Sequence, residues 1–224
     1  FTGAYSLLFR PPAQKPESAV PPPAPAAPAP QPIPGVAQFD TGKYKNEPSV
    51  TVWRAELKTR ENMPLEKYLE GVVAQEMEPD WPLEALRAQA VASRTLTLIA
   101  VEAGTIRRLH DADVSTSKEE LQAYAPQKVT NRVREAVRTT RGEIILYAGG
   151  LVNAIYSSSN GQIAATREES FPREIPHPTP YFQPVTDNSY KYTPADLQYW
   201  TVSIPGQEVA AAVASSDCSG SAEA

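Results

Sequence analysis

Glu76 is the residue whose placement most suggests chemistry. Wound at about 100° per residue, the segment Leu65 to Met77 puts Glu76 in one stripe with Leu65, Leu69, Val72 and Val73, while Glu66, Lys67 and Glu70 fall elsewhere. The pattern predicts a carboxyl group on the buried face of a helix. Desolvation favours the protonated form of such a group, which is the form a general acid needs. A structural Glu paired with an arginine fits the same pattern. On the next helical segment Arg87, Gln89, Ser93 and Arg94 interrupt an apolar surface, and Arg94 with Gln89 forms the pair of interest. A buried Arg requires a partner, so this pair could orient Glu76, or hold a substrate carboxylate or sugar hydroxyl, or serve a purely structural ion pair.

A second concentration of polar groups follows a β-rich run. Tyr156, Ser157, Ser158, Ser159, Asn160 and Gly161 set hydroxyls and an amide beside an aromatic ring. That mixture suits sugar recognition, and it also suits an ordinary turn. A serine hydrolase would need His110 or His177 close by, and no nucleophile-elbow glycine pattern surrounds these serines. His110, Asp111 and Asp113 resemble metal ligands superficially, but such residues in a polar loop are usually solvated. Cys218 is the only cysteine, which excludes an internal disulfide and a cysteine-built zinc site.

The elements that must position these residues are legible in outline. Val50 to Leu57 alternates as a strand, and Pro64 opens the first helix, Leu65 to Met77. Trp81-Pro82 marks a break, after which Leu83 to Ala103 reads as a long central helix ended by Gly104. Leu109 to Pro126 is polar and aperiodic, a loop excursion; Val129 to Thr140 is a short helix. Glu143 to Tyr147 and Leu151 to Tyr156 form a hairpin around Gly149-Gly150, where positive φ suits glycine. Ser157 to Ser203 is loop-rich, Gln207 to Ala214 is a last short helix, and no internal repeat is visible. The fold class expected is α+β: a single domain with two central helices packed against β-hairpins or a small antiparallel sheet, preceded by an extended Pro-rich segment. The boundaries expected are 1–48 for a Pro-rich linker, 49–214 for the folded domain and 215–224 for a disordered tail.

Composition limits the possibilities further. With 41% hydrophobic and 21% charged residues, the 224-residue chain can build a core once its proline-rich front is set aside. From Pro11 to Pro34 roughly every second residue is proline, which favours polyproline II. Such a segment could reach on the order of 70 Å as a semi-rigid spacer. The formal net charge of −5 and the lack of a basic block argue against nucleic-acid binding. The chain starts at Phe1, and 1–9 is too short for an intact signal peptide or membrane span, so removal of an upstream segment is expected.

The run Pro64-Leu65-Glu66-Lys67-Tyr68-Leu69-Glu70-Gly71-Val72-Val73-Ala74-Gln75-Glu76-Met77, followed by Glu84-Ala85-Leu86-Arg87-Ala88-Gln89-Ala90-Val91-Ala92-Ser93-Arg94-Thr95, closely resembles the SpoIID/LytB family of stage II sporulation protein D and its relatives. The similarity continues through Gln122-Ala123-Tyr124, Ala136-Val137 with Thr140 and Gly142, the hairpin, and Tyr156 to Gly161, covering roughly Val50 to Val185. The resemblance implies a peptidoglycan lytic transglycosylase with Glu76 as its acid/base. Gln89, Arg94, Gln122, Tyr156, Ser157, Ser158, Ser159 and Asn160 would line or support the glycan cleft. It further implies cleavage of strands free of stem peptides, 1,6-anhydro products, an extracytoplasmic location and no cofactor. The partners would be glycan strands, with a cell-wall amidase if the chain is instead a non-catalytic enhancer; a membrane would be reached only through a missing N-terminal anchor. Departures are also present. Ser115 and Ser117 stand where relatives can carry metal-binding cysteines, so zinc is not expected, and Phe171 stands where a Trp is common. The family's usual portion beyond the stretch around Trp200 and Val209 is not matched.

Overall fold

The computed structural model describes residues 29–158, 160, 162–170, 178–198 and 201–215. By packing, the chain divides into Phe1–Pro30 and Gln31–Ala224, and every element named here belongs to the second unit.

The sheet is small and one strand is its centre. β1 (Ser49–Arg54) pairs antiparallel with β2 (Thr59–Pro64), from Ser49 opposite Pro64 to Arg54 opposite Thr59. Alternation sends Val50, Val52 and Met63 into the core and leaves Trp53 and Arg60 on the other face. β2 runs directly into α1 (Leu65–Glu76), whose first N–H groups have no side-chain cap within the helix. Instead Leu65 N–H donates to the Pro48 carbonyl at 2.9 Å and Glu66 N–H to Glu47 Oε1 at 3.0 Å. The preceding segment therefore satisfies donors that would otherwise be orphaned.

α2 (Leu83–Ala103) crosses α1 and ends where expected, at Gly104 in the left-handed region with φ 62°. The chain does not fall into loop there. It turns into α3 (Thr105–His110), then forms β3 (Val114–Ser115), which pairs parallel with β1 to give the order β2-β1-β3. α4 (Asn131–Thr139) starts at Thr130, whose side chain accepts the Val133 N–H, and packs Val133, Ala136 and Val137 against α1 and α2. β4 (Leu146–Tyr147) and β5 (Gly150–Leu151) complete the regular structure of the core. Among the described residues beyond them are the short helices α5 (Arg167–Ser170) and α6 (Ala195–Gln198), a 3-10 turn at Ser189–Tyr192, and α7 (Gly206–Ser215). No helix among the described residues is long and apolar enough to cross a membrane.

The α+β class is as expected, and the differences are local. β2 was not anticipated because its residues are polar and only Met63 is buried. β3 and α3 fall around the stretch read as loop; two residues and one turn and a half are too short to show a period. The hairpin turn is Ala148-Gly149, with φ of 48° and 85°, and Gly150 belongs to the second strand. Both strands are two residues long, shorter than the runs around them suggest. Phe39 and Tyr44, in the stretch assigned from sequence to the linker, pack against the core. The core itself is held by Tyr68, Leu69, Val72, Leu86, Leu98 and Val114.

One close approach matters for the site. A Cβ on Gly71 would lie 2.2 Å from Tyr124 Cε2, so only glycine lets that ring sit against α1. Tyr124 stacks on Tyr68 with ring centroids 5.5 Å apart.

Candidate functional site

Glu76 is the last residue of α1, and Met77 after it is extended. The stripe of Leu65, Leu69, Val72 and Val73 is buried as predicted, but Glu76 is only half-buried, because the helix stops at the margin of the core. Its Oε1 accepts the Ala123 backbone N–H at 3.1 Å. The partial-negative end of α1 offers a carboxylate no stabilisation. The anchoring donor comes from the loop between β3 and α4.

That loop also delivers Gln122, which is almost fully buried. Gln122 Nε2 donates to Thr97 Oγ1 at 2.8 Å and to the Ser93 carbonyl at 3.4 Å, and its Oε1 accepts the Tyr156 hydroxyl at 3.0 Å. Tyr156 leaves 36% of its surface exposed, yet its hydroxyl reaches this interior amide. Burial pushes the phenol well above its usual value. Hydrogen bonding with Ser93 and Gln89 works against that, while the charge and hydrogen bond of Glu76 work with it. The phenol is thus held as a proton-bearing donor beside the carboxyl group. Gln89 Nε2 donates to Ser93 Oγ at 3.0 Å, which joins Gln89 to the same group.

The structure therefore brings together Glu76, Gln89, Gln122 and Tyr156, with Ser93 and the Ala123 N–H as members that sequence reasoning did not single out. A signal for Ser93 existed: Gln89, Ser93 and Thr97 recur every four residues and form a polar stripe on α2. The Ala123 contribution is a backbone group and leaves no trace in side-chain pattern.

Arg94 is elsewhere. Its side chain is 1% exposed and forks onto Glu66, with Nε to Oε1 at 2.9 Å and Nη2 to Oε2 at 2.6 Å. The carbonyls of Glu143, Val137 and Ala90 accept its remaining three protons at 3.0, 3.4 and 3.5 Å. Glu66 lies at the opposite end of α1 from Glu76, roughly 15 Å away by helical rise. Of the readings offered for Arg94, this is the structural pair, and it does not orient Glu76. Ser157 and Ser158 are exposed. Asn160 Oδ1 accepts a hydrogen bond from Ser189 Oγ at 3.3 Å. Ser159, Phe171, His177, Trp200 and Cys218 lie outside the described residues.

His110, Asp111 and Asp113 face different partners. His110 Nε2 lies 2.7 Å from Glu120 Oε1, Asp111 pairs with Arg60, and Asp113 pairs with Arg107. Ser115 Oγ donates to the other oxygen of Glu120 at 2.5 Å. The carboxylate stands between serine and histidine, so the imidazole cannot take the serine proton directly, and the trio is no hydrolase relay. It fixes the start of the loop that carries Gln122 and Ala123. The Ser115 hydrogen bond, followed by that of His110, holds Glu120 below the usual carboxylate value against desolvation. Among the described residues no group of three or more His, Cys, Asp or Glu side chains is gathered to hold a metal ion.

Several cavities lie apart from Glu76. One of about 320 Å³ adjoins Glu66 and Arg94, and one of about 550 Å³ is walled by Val36, Ile99, Leu151 and Tyr181.

Residues 54–147 match the SpoIID family, described as a stage II sporulation protein. The chain is 35% identical over 109 residues to a Bacillus subtilis protein named amidase enhancer, covering 49% of this chain and 14% of that one. It is 31% identical over 156 residues to stage II sporulation protein D of Bacillus subtilis, covering 64% of this chain and 46% of the relative. It is 28% identical over 169 residues to the protein of that name from Bacillus amyloliquefaciens, covering 70% and 48%. The chain thus spans less than half the length of each of these relatives.

Proposed function

Because the chain belongs, through residues 54–147, to the SpoIID family, we propose that it cuts the glycan strands of peptidoglycan as a lytic transglycosylase, with Glu76 as its single acid/base. The observation that supports this most is the company Glu76 keeps: among the described residues, the groups named about it are a backbone N–H, two amides, a serine and a neutral phenol, none of them a carboxylate. Hydrolytic glycosidases use two carboxylates, one to protonate the leaving oxygen and one to attack or to activate water. A transglycosylase of this kind needs only one.

In its acid form Glu76 donates a proton to the glycosidic oxygen as the bond from the muramoyl anomeric carbon breaks. The C6 hydroxyl of the same sugar then closes onto that carbon and returns its proton to Glu76. No water is consumed, the leaving strand gains a hydroxyl, and the retained end is a 1,6-anhydro sugar. Tyr156 and Gln89 are suited to holding sugar hydroxyls about the carboxyl group, and the buried Gln122 fixes Tyr156 from behind. In this reading 49–214 is the catalytic head, braced by Phe39, Tyr44, Glu47 and Pro48 at the end of the Pro-rich segment 1–48, and 215–224 is a tail. On the same reading the enzyme works outside the cytoplasm.

The test is to incubate the purified chain with glycan strands freed of stem peptides and to analyse the products by mass spectrometry. Ends one water lighter than hydrolysis would leave support the reading; strands left intact overturn it. The amidase-enhancer relative supports a second reading, a glycan-binding module that stimulates a cell-wall amidase. Binding to strands without new ends, together with faster turnover by an added amidase, is its signature.

A further inference from the structure

The chain is acidic overall, with a formal net charge of −5, yet one part of its surface is cationic. β2 and α3 flank an open cavity of about 800 Å³ whose walls include Lys58, Arg60, Arg107 and Arg108, against Asp111 as the one carboxylate. Strand alternation builds one wall. Trp53 and Arg60 are cross-strand partners on the face of the ribbon opposite Val52. Gly104 builds the other, because its left-handed conformation turns the chain out of α2 and presents α3 with Arg107 and Arg108. His110 stacks on Trp53 with centroids 4.5 Å apart and planes within 8°. The cavity thus has an aromatic wall and a cationic rim.

These cations are not consumed by the fold. Arg60 pairs with the exposed Asp111 and Arg107 with the largely buried Asp113, yet half or more of each arginine side chain stays open to solvent, and the Arg60 pair is a weak, screened one. Lys58 and Arg108 form no ion pair among the described residues, and Arg108 Nη1 donates to the Ala103 carbonyl at 2.7 Å. Guanidinium groups match phosphate oxygens in a two-pronged fashion, so an incoming phosphate can replace an exposed carboxylate at little cost. The charges are spread around a wide opening, which suits successive charges along a polymer better than one small anion.

We propose that this cavity binds an anionic phosphodiester polymer with polyol units, of which poly(glycerol phosphate) is the simplest example. The phosphates lie against Lys58, Arg60, Arg107 and Arg108, and the carbon units between them pack on the Trp53–His110 pair. Nucleic acid is the less favoured occupant, because Trp53 and His110 are stacked face to face on each other and leave no gap between their rings for a base to enter. The site goes beyond the cleavage reading and does not depend on Glu76.

Titrating the intact chain with poly(glycerol phosphate) tests it. Binding is expected in about 50 mM salt and should weaken about tenfold or more by about 200 mM, because neutralised phosphates release counterions. The double substitution Lys58→Glu with Arg108→Glu should abolish binding, whereas Arg138→Glu on α4 should leave it unchanged, with melting curves verifying that both variants fold. No binding by the parent chain, equal affinity in the double variant, or equally tight binding of single-stranded DNA would each overturn the assignment. Binding is read without turnover, so its failure and a failure of glycan cleavage are separate results.

Discussion

The backbone N–H of Ala123 donates to Glu76 Oε1 at 3.1 Å, so the end of α1 and the loop between β3 and α4 meet at a single carboxyl group. A carboxamide keeps the accepting oxygen and loses only the exchangeable proton. Glu76→Gln is therefore expected to melt as the parent does while cleaving stem-free glycan about 10²- to 10⁴-fold more slowly. Product release followed by chromatography gives the rate; a variant as fast as the parent removes Glu76 from the chemistry.

Gly71→Ala should destabilise the protein even though alanine is the better helix former by about 1 kcal/mol. The added methyl would meet the Tyr124 ring, and overpacking of this sort costs about 1–3 kcal/mol. Urea unfolding should show a lower midpoint. Adding Tyr124→Ala should cancel most of the Gly71 effect, since the ring that clashes is then gone.

Arg94→Met leaves the Glu66 carboxylate without its forked partner, and breaking a buried pair from one side costs about 3–5 kcal/mol. Replacing both residues, Arg94→Met with Glu66→Leu, should recover much of that loss in the same urea experiment. Because the pair sits far from Glu76, cleavage measured on the folded fraction should hold steady in the double variant. A selective fall in turnover there would mean that Arg94 contacts the glycan after all.

Ser115→Ala removes the hydrogen bond that does most to hold Glu120 below its usual value of 4.5. A carboxyl group with a lower value in the folded state stabilises the protein fully above the unfolded value, and that share is lost as pH falls through the folded one. The variant should be less stable by roughly 1 kcal/mol near neutrality. The gap should narrow as the pH drops below about 4.5. Thermal melts at a series of pH values check this, and a gap independent of pH would rule out the charged hydrogen bond as its source.

What the sequence revealed and what it withheld have physical causes. α1 and α2 run long enough for a helical period to emerge, and Pro64 and Gly104 act locally on the backbone, so their limits were readable. β2 was not, because a strand with five solvent-facing residues and one buried methionine has no alternation to read. At the hairpin Ala148 takes the positive φ that glycine was expected to supply. Gly150 is needed for space instead, since a Cβ there would come within 2.8 Å of Val36 Cγ1. Periodicity could say that Arg94 is buried but not with whom; Glu66 becomes its partner only through the crossing of α1 and α2. Within the site, Glu76, Gln89 and Tyr156 could be proposed from residue type and spacing. The Ala123 N–H could not, because a main-chain donor is present at almost every position.

Glu47 closes the first turn of α1 from outside the helix, and its other oxygen meets Arg141 beyond the end of α4. Trimming the proline tract back to the first strand would thus cut away a brace that links two helices far apart in the chain. A shortened version intended for crystallisation or binding work should start before Val36, so that Phe39, Tyr44, Glu47 and Pro48 travel with the head they help to hold.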